Sequence, residues 1–337
     1  MKITVGIPTK NRYDTLSHTL LSIAMQSMKP YEVIIVDDSD NPIDIRTIPV
    51  YLYILKMFDD YGIKWTVLFG DKLGQHHSHQ KVQNAAEGDL IFRIDDDCVA
   101  EPEVLRKLYS VMRREKVGAV APAVLMPNAG DLPMGMKNTM KGISTHPNAQ
   151  WFIGHGISSA EHLYSCFLYR KGIVNYDLNL STVAHREETI FSHSIYREGY
   201  HLFVNHDARV WHFREDTGGI RTFQHKPELW AHDEKIFHGY LAKWGVSTDV
   251  KYVVLDNGLG DHYAFKNILP EIRKKHKKIV IACCYPEVFH DEEGLDLLSI
   301  AQIKLMFGNI NMYNVYWFMT DHNWKGTLTD AFKQLYV

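Results

Sequence analysis

The segment GDLIFRIDDDCVAEPEVL, residues 88–105, joins a short apolar run to three consecutive aspartates, Asp95, Asp96 and Asp97. Adjacent like charges repel one another, and burying an uncompensated carboxylate is costly. Pro102 follows where a helix is expected to begin, since proline is favoured in the first helical turn. The segment therefore predicts a buried strand, an acidic strand end that binds something, and then a helix.

The same pattern extends over the preceding part of the chain. Apolar strands are predicted at ITVGI (3–7), which Pro8 ends, and at VIIV (33–36), with helix-patterned segments between the strands. This alternation is typical of a mostly parallel α/β sheet with flanking crossover helices. Ligands of such sheets bind beyond the carboxyl ends of the strands. Because acidic residues follow two of these strands, at 37–40 and at 95–97, we expect a ligand site at that edge.

Composition and charge narrow the class of protein. Of the 337 residues, 45% are hydrophobic and 23% charged, and the formal net charge of -3 does not predict a polyanionic partner. The four cysteines form no CxxC pair, which indicates neither a disulfide framework nor a zinc knuckle and favours a reducing cytosol. The chain begins directly as a strand without a leader, and no apolar run approaches the roughly 20 residues that span a bilayer. We therefore expect a cytoplasmic protein without a membrane span, made of two domains or of one large domain with an appendage.

Carboxylates at a strand end are ligands that Mg²⁺ and Mn²⁺ prefer. Such a cation takes further ligands from a substrate's phosphates and makes a diphosphate a better leaving group. Because side chains alternate along an extended chain, Asp95 and Asp97 are predicted to face the ligand edge, with Asp96 bonded to backbone or solvent. The alternative is a capped turn, since aspartate is a common turn residue. The second acidic strand end favours the functional interpretation.

Four segments within residues 1–245 carry a family resemblance: ITVGIPTKNR, VIIVDDSDN, GDLIFRIDDD and REETIFSHSIYREGYHLFVNHDARVWH. Their order and spacing resemble those of the GT-A glycosyltransferases of family 2. The resemblance implies a Rossmann-like GT-A fold and a metal-dependent, inverting transfer of a hexosyl or related sugar from a nucleoside-diphosphate sugar to an acceptor hydroxyl. It also implies Mn²⁺ or Mg²⁺ as cofactor, a UDP-sugar as the expected donor, and a glycan or another hydroxyl compound as acceptor.

The resemblance further implies which residues bind the donor and the metal. The donor-binding set consists of the first nucleotide-binding loop, two aspartates for the base and ribose, a histidine facing the diphosphate and one aspartate of the DXD motif: Pro8, Thr9, Arg12, Asp37, Asp38, His79 and Asp95. The implied metal ligands are Asp97, Asp95 and His212, with Asp97 as the direct ligand. From the residues alone, His212 also fits a buried structural histidine. A transition-metal site at His76, His77 and His79 is a weaker alternative, because no Cys or Glu stands at ligand spacing.

The general base is expected among two neighbouring glutamates. The family usually has Glu-Asp where this chain has Glu187 and Glu188, and the second position supplies the base, so Glu188 is the predicted base. The longer side chain leaves open which of the two glutamates reaches the acceptor. Both also stand at a predicted helix start, where a carboxylate stabilises the positive helix end without any catalytic role.

A second unit is predicted from residue 249, which makes the expected domains 1–248, binding the nucleotide sugar and catalytic, and 249–337, a small Rossmann-like α/β domain. The run VVLDNGLGDHYAFKNILPEIRKKHKKIVIACC, within residues 250–284, resembles the first strand, loop and helix of GT-B glycosyltransferases of the heptosyltransferase kind. The 89 residues after 248 (337 minus 248) are too few for a complete GT-B enzyme, so we expect a docking, acceptor-binding, assembly or packing role. NVYWFM, residues 314–319, is predicted as a strand of this unit.

Two other functions fit parts of the pattern. A nucleotidyltransferase that makes nucleotide sugars also uses metal-binding aspartates, but it usually has a Gly-rich basic loop where this chain has PTKNR. A non-catalytic nucleotide- or carbohydrate-binding module would not need Asp95, Asp97 and Glu188 together. Residues 123–160 are interpreted as loops that fold over the site and select the donor. A nucleic-acid acceptor is left open but not favoured by the net charge, despite the basic run at 273–278, and the oligomeric state is open.

Overall fold

The structure is a computed structural model that describes residues 1–126, 155–215, 217–223, 225–246, 250–301 and 314–337. The chain divides into two compact units, and in its C-terminal part the division falls between Tyr240 and Leu241. The predicted domain boundary after residue 248 stays a prediction. Most of the predicted loop region 123–160 lies outside the described residues.

The first unit is built on one large sheet. Its strands among the described residues are β1 (Ile3–Thr9), β2 (Glu32–Asp37), β3 (Lys64–Phe69), β4 (Leu90–Arg93), β5 (Cys98–Ala100), β6 (Val117–Leu125), β7 (Ile157–Ala160), β8 (Phe167–Arg170) and β9 (His201–His212). They are ordered β3-β2-β1-β4-β8-β6-β9-β5, and β7 pairs with β9. The pairs among β1, β2, β3 and β4 are parallel, whereas β8, β5 and β7 run antiparallel to their neighbours.

Helices cover both faces of this sheet. They are α1 (Tyr13–Ala24), α2 (Pro49–Asp60), α3 (Gln75–Ala85), α4 (Val104–Met112) and α5 (Glu187–Arg197), while a further helix, α6 (Pro227–Lys243), follows β9 in the chain. The side chains of β2 alternate between two hydrophobic clusters: Val33 and Ile35 pack with α1, α2 and α4, while Ile34 and Val36 pack with α3 and α5. Burial on both faces explains why the strand is continuously apolar in sequence.

Two prolines behave differently from expectation. Pro8 does not end β1, which continues through it to Thr9 while pairing with β2. The backbone groups of even-numbered residues in β1 point towards β4, as the hydrogen bond from the amide of Ile94 to the carbonyl oxygen of Gly6 shows. The pairing of β1 with β4 ends at Gly6. Pro8, which has no amide hydrogen, therefore lies beyond the last residue whose amide would bond to β4. Pro102 precedes α4, which begins at Val104.

The second unit is a small parallel sheet with helices. Its strands β10 (Val250–Leu255), β11 (Lys278–Cys283) and β12 (Leu295–Leu298) pair in that order. Its helices are α7 (Leu259–Lys266), α8 (Leu269–Lys275), α9 (Val315–Asp321) and α10 (Leu328–Tyr336). The core contains Phe265, Ile281 and Phe332. The predicted fold class, a mostly parallel α/β sheet with flanking helices plus a small α/β unit, is confirmed, whereas the resemblance of this unit to GT-B enzymes stays a prediction.

The strand predicted at 314–319 is wrong, because this segment forms helix α9. The side chain of Asn314 accepts hydrogen bonds from the amides of Tyr316 and Trp317 and so caps the helix. The aromatic composition of the segment favours a strand, but the cap and packing on the core outweigh that preference. No helix in the described ranges is long and apolar enough to cross a membrane.

Candidate active site

Parallel pairing brings the carboxyl ends of β1, β2 and β4 to one edge of the sheet. Thr9 pairs with Asp37 where β1 and β2 end, and Asp95 to Asp97 follow directly after β4. Cys98 in β5 pairs with His212 in β9, so the end of β9 reaches the same edge. The two predicted acidic clusters therefore lie at one edge, because the strand order places β1 between β2 and β4.

Four side chains at this edge converge on one point. One ligand atom from each of Asp95, Asp97, Cys98 and His212 lies within 4.8 Å of the others. In the described part of the chain, no other group of three or more His, Cys, Asp or Glu side chains has its ligand atoms this close together. Asp95 is half-buried, and its carboxylate accepts a 2.5 Å hydrogen bond from the hydroxyl of Ser165, which fixes its direction.

Asp97 has three charged or hydrogen-bonding partners in the cluster region. Its carboxylate lies 3.2 Å from Nε2 of His212 and 3.2 Å from the guanidinium of Arg12, and it accepts a 3.1 Å hydrogen bond from the amide of Glu215. Burial disfavours the charged form, but the hydrogen bond and charge of His212 and the charge of Arg12 outweigh it and lower the pKa of Asp97 to about 2. The same pairing raises the pKa of His212 in spite of its burial. Asp97 is therefore ionised at any physiological pH.

Asp96 faces the other way, and its partners differ from the predicted backbone or solvent. Its carboxylate accepts a 2.7 Å hydrogen bond from the hydroxyl of Thr9 and lies 3.1 Å from the guanidinium of Arg12. Burial raises the pKa of Asp96 to about 7, opposed by Arg12 and supported by the charge of Asp97. Thr9 and Arg12, which the resemblance assigns to donor binding, are thus bonded to the aspartate run itself, and Pro8 is buried in β1.

The chemistry of the cluster suits a hard divalent cation. Two carboxylates and one imidazole supply the oxygen and nitrogen ligands that Mg²⁺ and Mn²⁺ accept. Burial raises the pKa of the Cys98 thiol well above its usual range, and its Sγ lies 3.7 Å from Sγ of Cys166. A protonated thiol is a poor ligand, because the thiolate is the form that binds metals. The residues that fit a cation here are therefore Asp95, Asp97 and His212.

Glu187 is part of a buried ion pair. Its carboxylate oxygens lie 2.6 and 2.9 Å from the two terminal nitrogens of Arg93, and the side-chain amide of Gln75 donates a third bond of 2.8 Å. The side chains of Arg93 and Glu187 are 0% and 1% exposed. This arrangement ties the end of β4 to the start of α5. Its three bonds occupy most of the roughly four lone-pair sites of the carboxylate and leave little capacity for a general base.

Glu188 has the opposite environment. It stands in the first turn of α5, and no side chain in the described part of the chain forms a hydrogen bond or ion pair with its carboxylate. Burial raises the pKa of Glu188 to about 8, and the negative charges of Glu187 and Asp95 add to the effect. A carboxyl with a raised pKa and no fixed partner can take up a proton near neutral pH.

The acidic end of β2 is held by the protein. Asp37 accepts a 2.6 Å hydrogen bond from the hydroxyl of Tyr13 and a 3.0 Å bond from the amide of Ser39. Asp38 accepts a 2.6 Å bond from the amide of Lys72, and burial raises its pKa. These bonds fix both side chains beside the end of β1, and we call Asp37 and Asp38, each 4% exposed, the acidic wall.

His79 lies inside the protein rather than at the open edge. It is 2% exposed, and its ring stacks on Tyr176 at 5.4 Å between centroids. Burial lowers the pKa of His79 well below its usual value, and the charge of Arg93 lowers it further. His76 is also fully buried and its neighbour His77 is partly exposed, and in the described ranges these three histidines do not form a group at metal-ligand spacing.

Residues that sequence reasoning missed hold the site together. Arg93 anchors Glu187, Ser165 orients Asp95, and Asp233 and Glu234 of α6 bind the loop that leads into α5. A signal existed for Arg93, since an arginine inside the apolar run LIFRI requires a buried carboxylate partner. No local signal marks the others, because each contacts a residue more than 40 positions away.

The chain is similar to a curated protein and to solved structures. A curated relative, the glucosyl-dolichyl phosphate glucuronosyltransferase of Haloferax volcanii, is 28% identical over 134 residues, which cover 38% of this chain and 39% of that protein. The chain thus matches about two fifths of the length of that relative. Among solved structures, S. aureus TarS has a TM-score of 0.47 at 18% identity, covering 64% of this chain and 37% of that chain. GalNAc-T7, solved with UDP, GalNAc and Mn²⁺, has a TM-score of 0.47 at 16% identity, covering 64% and 43%.

The family comparison covers just over half of the chain. Residues 4–175 match the family described as glycosyl transferase family 2. The match includes β1 to β4 and the aspartates at both acidic strand ends. The chain therefore belongs to glycosyl transferase family 2, and residues 4–175 form a glycosyltransferase domain.

Proposed function

We propose that this protein is a metal-dependent, inverting glycosyltransferase that moves a sugar from a nucleoside-diphosphate sugar to an acceptor hydroxyl. The observation that carries the proposal is the combination of a carboxylate and imidazole cluster with the nearby carboxyl of Glu188, which pairs with no side chain among the described residues. Charge neutralisation at the leaving diphosphate and a base for the acceptor are the two requirements of a single displacement with inversion. Membership of the family supports the same reaction class.

In this proposal, Asp95, Asp97 and His212 would hold Mn²⁺ or Mg²⁺. A cation held there would supply charge neutralisation that makes the nucleoside diphosphate a better leaving group. Asp97 suits the role of main ligand because its low pKa keeps it ionised, and His212 would bind the cation in its neutral form. Asp96 stays with Thr9 and Arg12 and keeps the run of aspartates in place.

Glu188 is the proposed general base. Its carboxylate removes the proton of the acceptor hydroxyl, the oxygen attacks the anomeric carbon of the sugar, and the bond from that carbon to the diphosphate breaks. Glu187 serves instead as the anchor of α5, because Arg93 and Gln75 occupy its oxygens. A cation held by Asp95 would offset the negative charge that raises the pKa of Glu188, which would favour the basic form of Glu188.

The donor's nucleoside is proposed to lie against the acidic wall at the end of β2. Asp37 and Asp38 are already oriented by Tyr13, Ser39 and Lys72, so little reorganisation is needed when a base or ribose binds. A UDP-sugar is the donor proposed first. Pro8, Thr9 and Arg12 are proposed to shape this edge, while the burial of His79 gives no support for a contact with the diphosphate.

Residues 249–337 are proposed to be an accessory unit, with acceptor binding as its role. Each residue assigned above to the donor, the cation or proton removal lies before residue 213. A protein ending at residue 246 should therefore still bind nucleoside diphosphate and Mn²⁺, and its loss of transfer to acceptor would support the accessory role.

A thermal-shift screen tests the donor and the metal together. Nucleoside diphosphates and nucleotide sugars, including UDP-sugars with glucosyl, N-acetylglucosaminyl and glucuronosyl groups, are added with and without Mn²⁺ or Mg²⁺. A ligand that binds the native state raises the unfolding temperature. A shift for one nucleotide that requires the cation supports the proposal, and no shift for any diphosphate contradicts it.

Two adjacent aspartates provide a matched pair of variants. Asp97→Asn should abolish the cation-dependent shift, because it removes the charge at the centre of the cluster. Asp96→Asn should keep that shift, because Asp96 points away from the cluster and its pKa of about 7 makes an uncharged amide a close substitute. Equal behaviour of the two variants would contradict the assignment.

Product analysis then separates the reaction classes. Release of nucleoside diphosphate from a nucleotide sugar supports sugar transfer. Release of pyrophosphate from a nucleoside triphosphate and a sugar phosphate would instead show a nucleotidyltransferase. Binding without either product would show a binding module.

A further inference from the structure

The loop that leads into α5 has an unfavourable backbone. Ala184 and Arg186 adopt left-handed conformations with φ angles of 53° and 71°, which residues other than glycine rarely adopt. Arg186 is also the N-cap residue of α5, and its side chain makes no capping bond. Conformations of this kind persist where surrounding contacts over-determine them, and they cluster at functional sites. Contacts from residues outside the loop must therefore stabilise these two backbone conformations.

Asp233 of α6 supplies such contacts. Its side chain is completely buried, and its carboxylate accepts three hydrogen bonds from the loop. The donors are the amide of Ser181 at 2.6 Å, the hydroxyl of Ser181 at 2.9 Å and the amide of His185 at 2.8 Å. The carboxylate thus joins the first part of the loop to the residue just before Arg186. A charged acceptor makes such bonds stronger than a neutral one.

The next residue of α6 holds the side chains of the same loop. Glu234 lies 2.9 Å from the guanidinium of Arg186 and 2.8 Å from Nε2 of His185. The guanidinium also lies over the ring of Phe237 at 4.8 Å. Glu234 is about one third exposed, whereas Asp233 has no exposed surface, so solvent screens the first contact and not the second. Two adjacent carboxylates of one helix therefore define both the backbone and the side-chain positions of the loop.

We infer that Asp233 is a positioning residue that holds the loop 181–186 in the conformation that presents Glu188 to the cluster of Asp95, Asp97 and His212. Glu188 follows Arg186 by two residues, so the direction of its side chain depends on where the loop starts the helix. Asp233 contacts the loop and acts on Glu188 only through it. The inference rests on the proposed function, since it assigns a cause to the placement of the proposed base.

The experiment compares three variants of the full chain. Asp233→Asn keeps one acceptor oxygen but places an amide group against a donor of the loop. Ser181→Ala removes one of the three bonds with a smaller change and serves if Asp233→Asn does not fold. Tyr240→Phe is the matched control, because the hydroxyl of Tyr240 on the same helix bonds Asp177 at 2.9 Å, outside the loop.

Two measurements are made on each variant. The first is nucleoside diphosphate release from the UDP-sugar chosen by the thermal-shift screen, with Mn²⁺, analysed for kcat and donor KM separately. The second is amide hydrogen exchange of residues 185–188. For Asp233→Asn we expect kcat to fall roughly 10- to 100-fold with little change in KM, since small misplacement of a reacting group has effects of this size. We also expect faster exchange in residues 185–188 and no change in either measurement for Tyr240→Phe.

Each outcome decides the inference. Unchanged exchange, unchanged kcat, or a loss confined to KM overturns it, because a donor contact or a purely structural role then explains Asp233. If Asp233→Asn is unfolded, a fall in kcat with faster loop exchange in Ser181→Ala supports the inference, and unaltered values overturn it. If the wild-type protein acts on no nucleotide sugar, the proposed function fails by itself. The exchange comparison then decides whether Asp233 holds the loop.

Discussion

Replacing Glu187 with glutamine removes the negative charge that neutralises Arg93. Both oxygens of Glu187 bond the guanidinium, and the two side chains are 0% and 1% exposed. Removing one member of a buried ion pair costs about 3–5 kcal/mol, because the remaining charge has no solvent to stabilise it. Glutamine keeps one acceptor oxygen, so we expect the lower end, about 3 kcal/mol. For a unit of this size, that loss lowers the unfolding temperature by roughly 6–12 °C.

Glu188→Gln should behave in the opposite way. Its carboxyl pairs with no side chain among the described residues, and burial together with the charges of Glu187 and Asp95 already disfavours its ionised form. Neutral glutamine therefore relieves an unfavourable charge, and we expect an unfolding temperature equal to or above that of the wild type. Its cost should appear in kcat, by roughly 10²- to 10⁴-fold, because loss of a general base has that magnitude.

Thermal unfolding followed by circular dichroism at neutral pH, together with nucleoside diphosphate release, measures both effects. The two variants differ by the same chemical change at adjacent positions, so each is the control for the other. The reasoning is refuted if Glu187→Gln unfolds within about 2 °C of the wild type, a shift of less than about 1 kcal/mol. It is also refuted if Glu187→Gln loses turnover while keeping its stability, since Glu187 is then the base.

Three further predictions concern pH, the cluster and one glycine. The pKa of Glu188 in the folded protein, about 8, lies above the usual 4.5. Its contribution to the free energy of unfolding is therefore complete below about pH 4.5 and is lost as the pH rises through about 8. Urea unfolding at several pH values should show a smaller decline for Glu188→Gln than for the wild type. Ser165→Ala, which removes the bond that orients Asp95, should weaken Mn²⁺ binding roughly 10-fold by titration calorimetry, as loss of an outer hydrogen bond does elsewhere; unaltered affinity would exclude an orienting role. Gly218→Ala should destabilise the protein by about 1–3 kcal/mol in denaturant, because φ is +67° and a Cβ there would lie 2.7 Å from the nearest side-chain carbon; Gly239→Ala in α6, with nothing within 4 Å, is the control and should be neutral or stabilising.

Local patterns predicted the secondary structure well where both faces of an element are buried. The run VIIV with its following aspartates, and LIFRI with Asp95 to Asp97, mark strands whose apolar side chains pack on both sides of the sheet. The same reasoning failed at residues 314–319, where aromatic residues suggested a strand and the Asn314 cap formed a helix. Composition measures average preference, whereas one capping side chain and the packing of one face decide the individual case.

The separation of the two glutamates could not be predicted from their positions. Adjacent residues of one type at a helix start have the same local signals, and the predicted base rested on family resemblance. Tertiary contacts distinguish them: β4 brings Arg93 into a bonded ion pair with Glu187, whereas in the described part of the chain Arg93 acts on Glu188 only through its charge. Their expected chemistry differs because one charge is neutralised in the interior and the other is only desolvated.

The sequence by itself determined that this chain forms a mostly parallel α/β sheet and that two acidic strand ends lie at one edge of it. This follows because hydrophobic periodicity and strand direction are local properties, and parallel strands necessarily end on the same side. Only the tertiary structure decided that His212 meets Asp97, that Arg93 occupies Glu187, and that Asp233 holds the loop before Glu188. These contacts join residues between 48 and 115 positions apart (233 minus 185, 212 minus 97), and their chemistry comes from burial and from charges that only folding brings together.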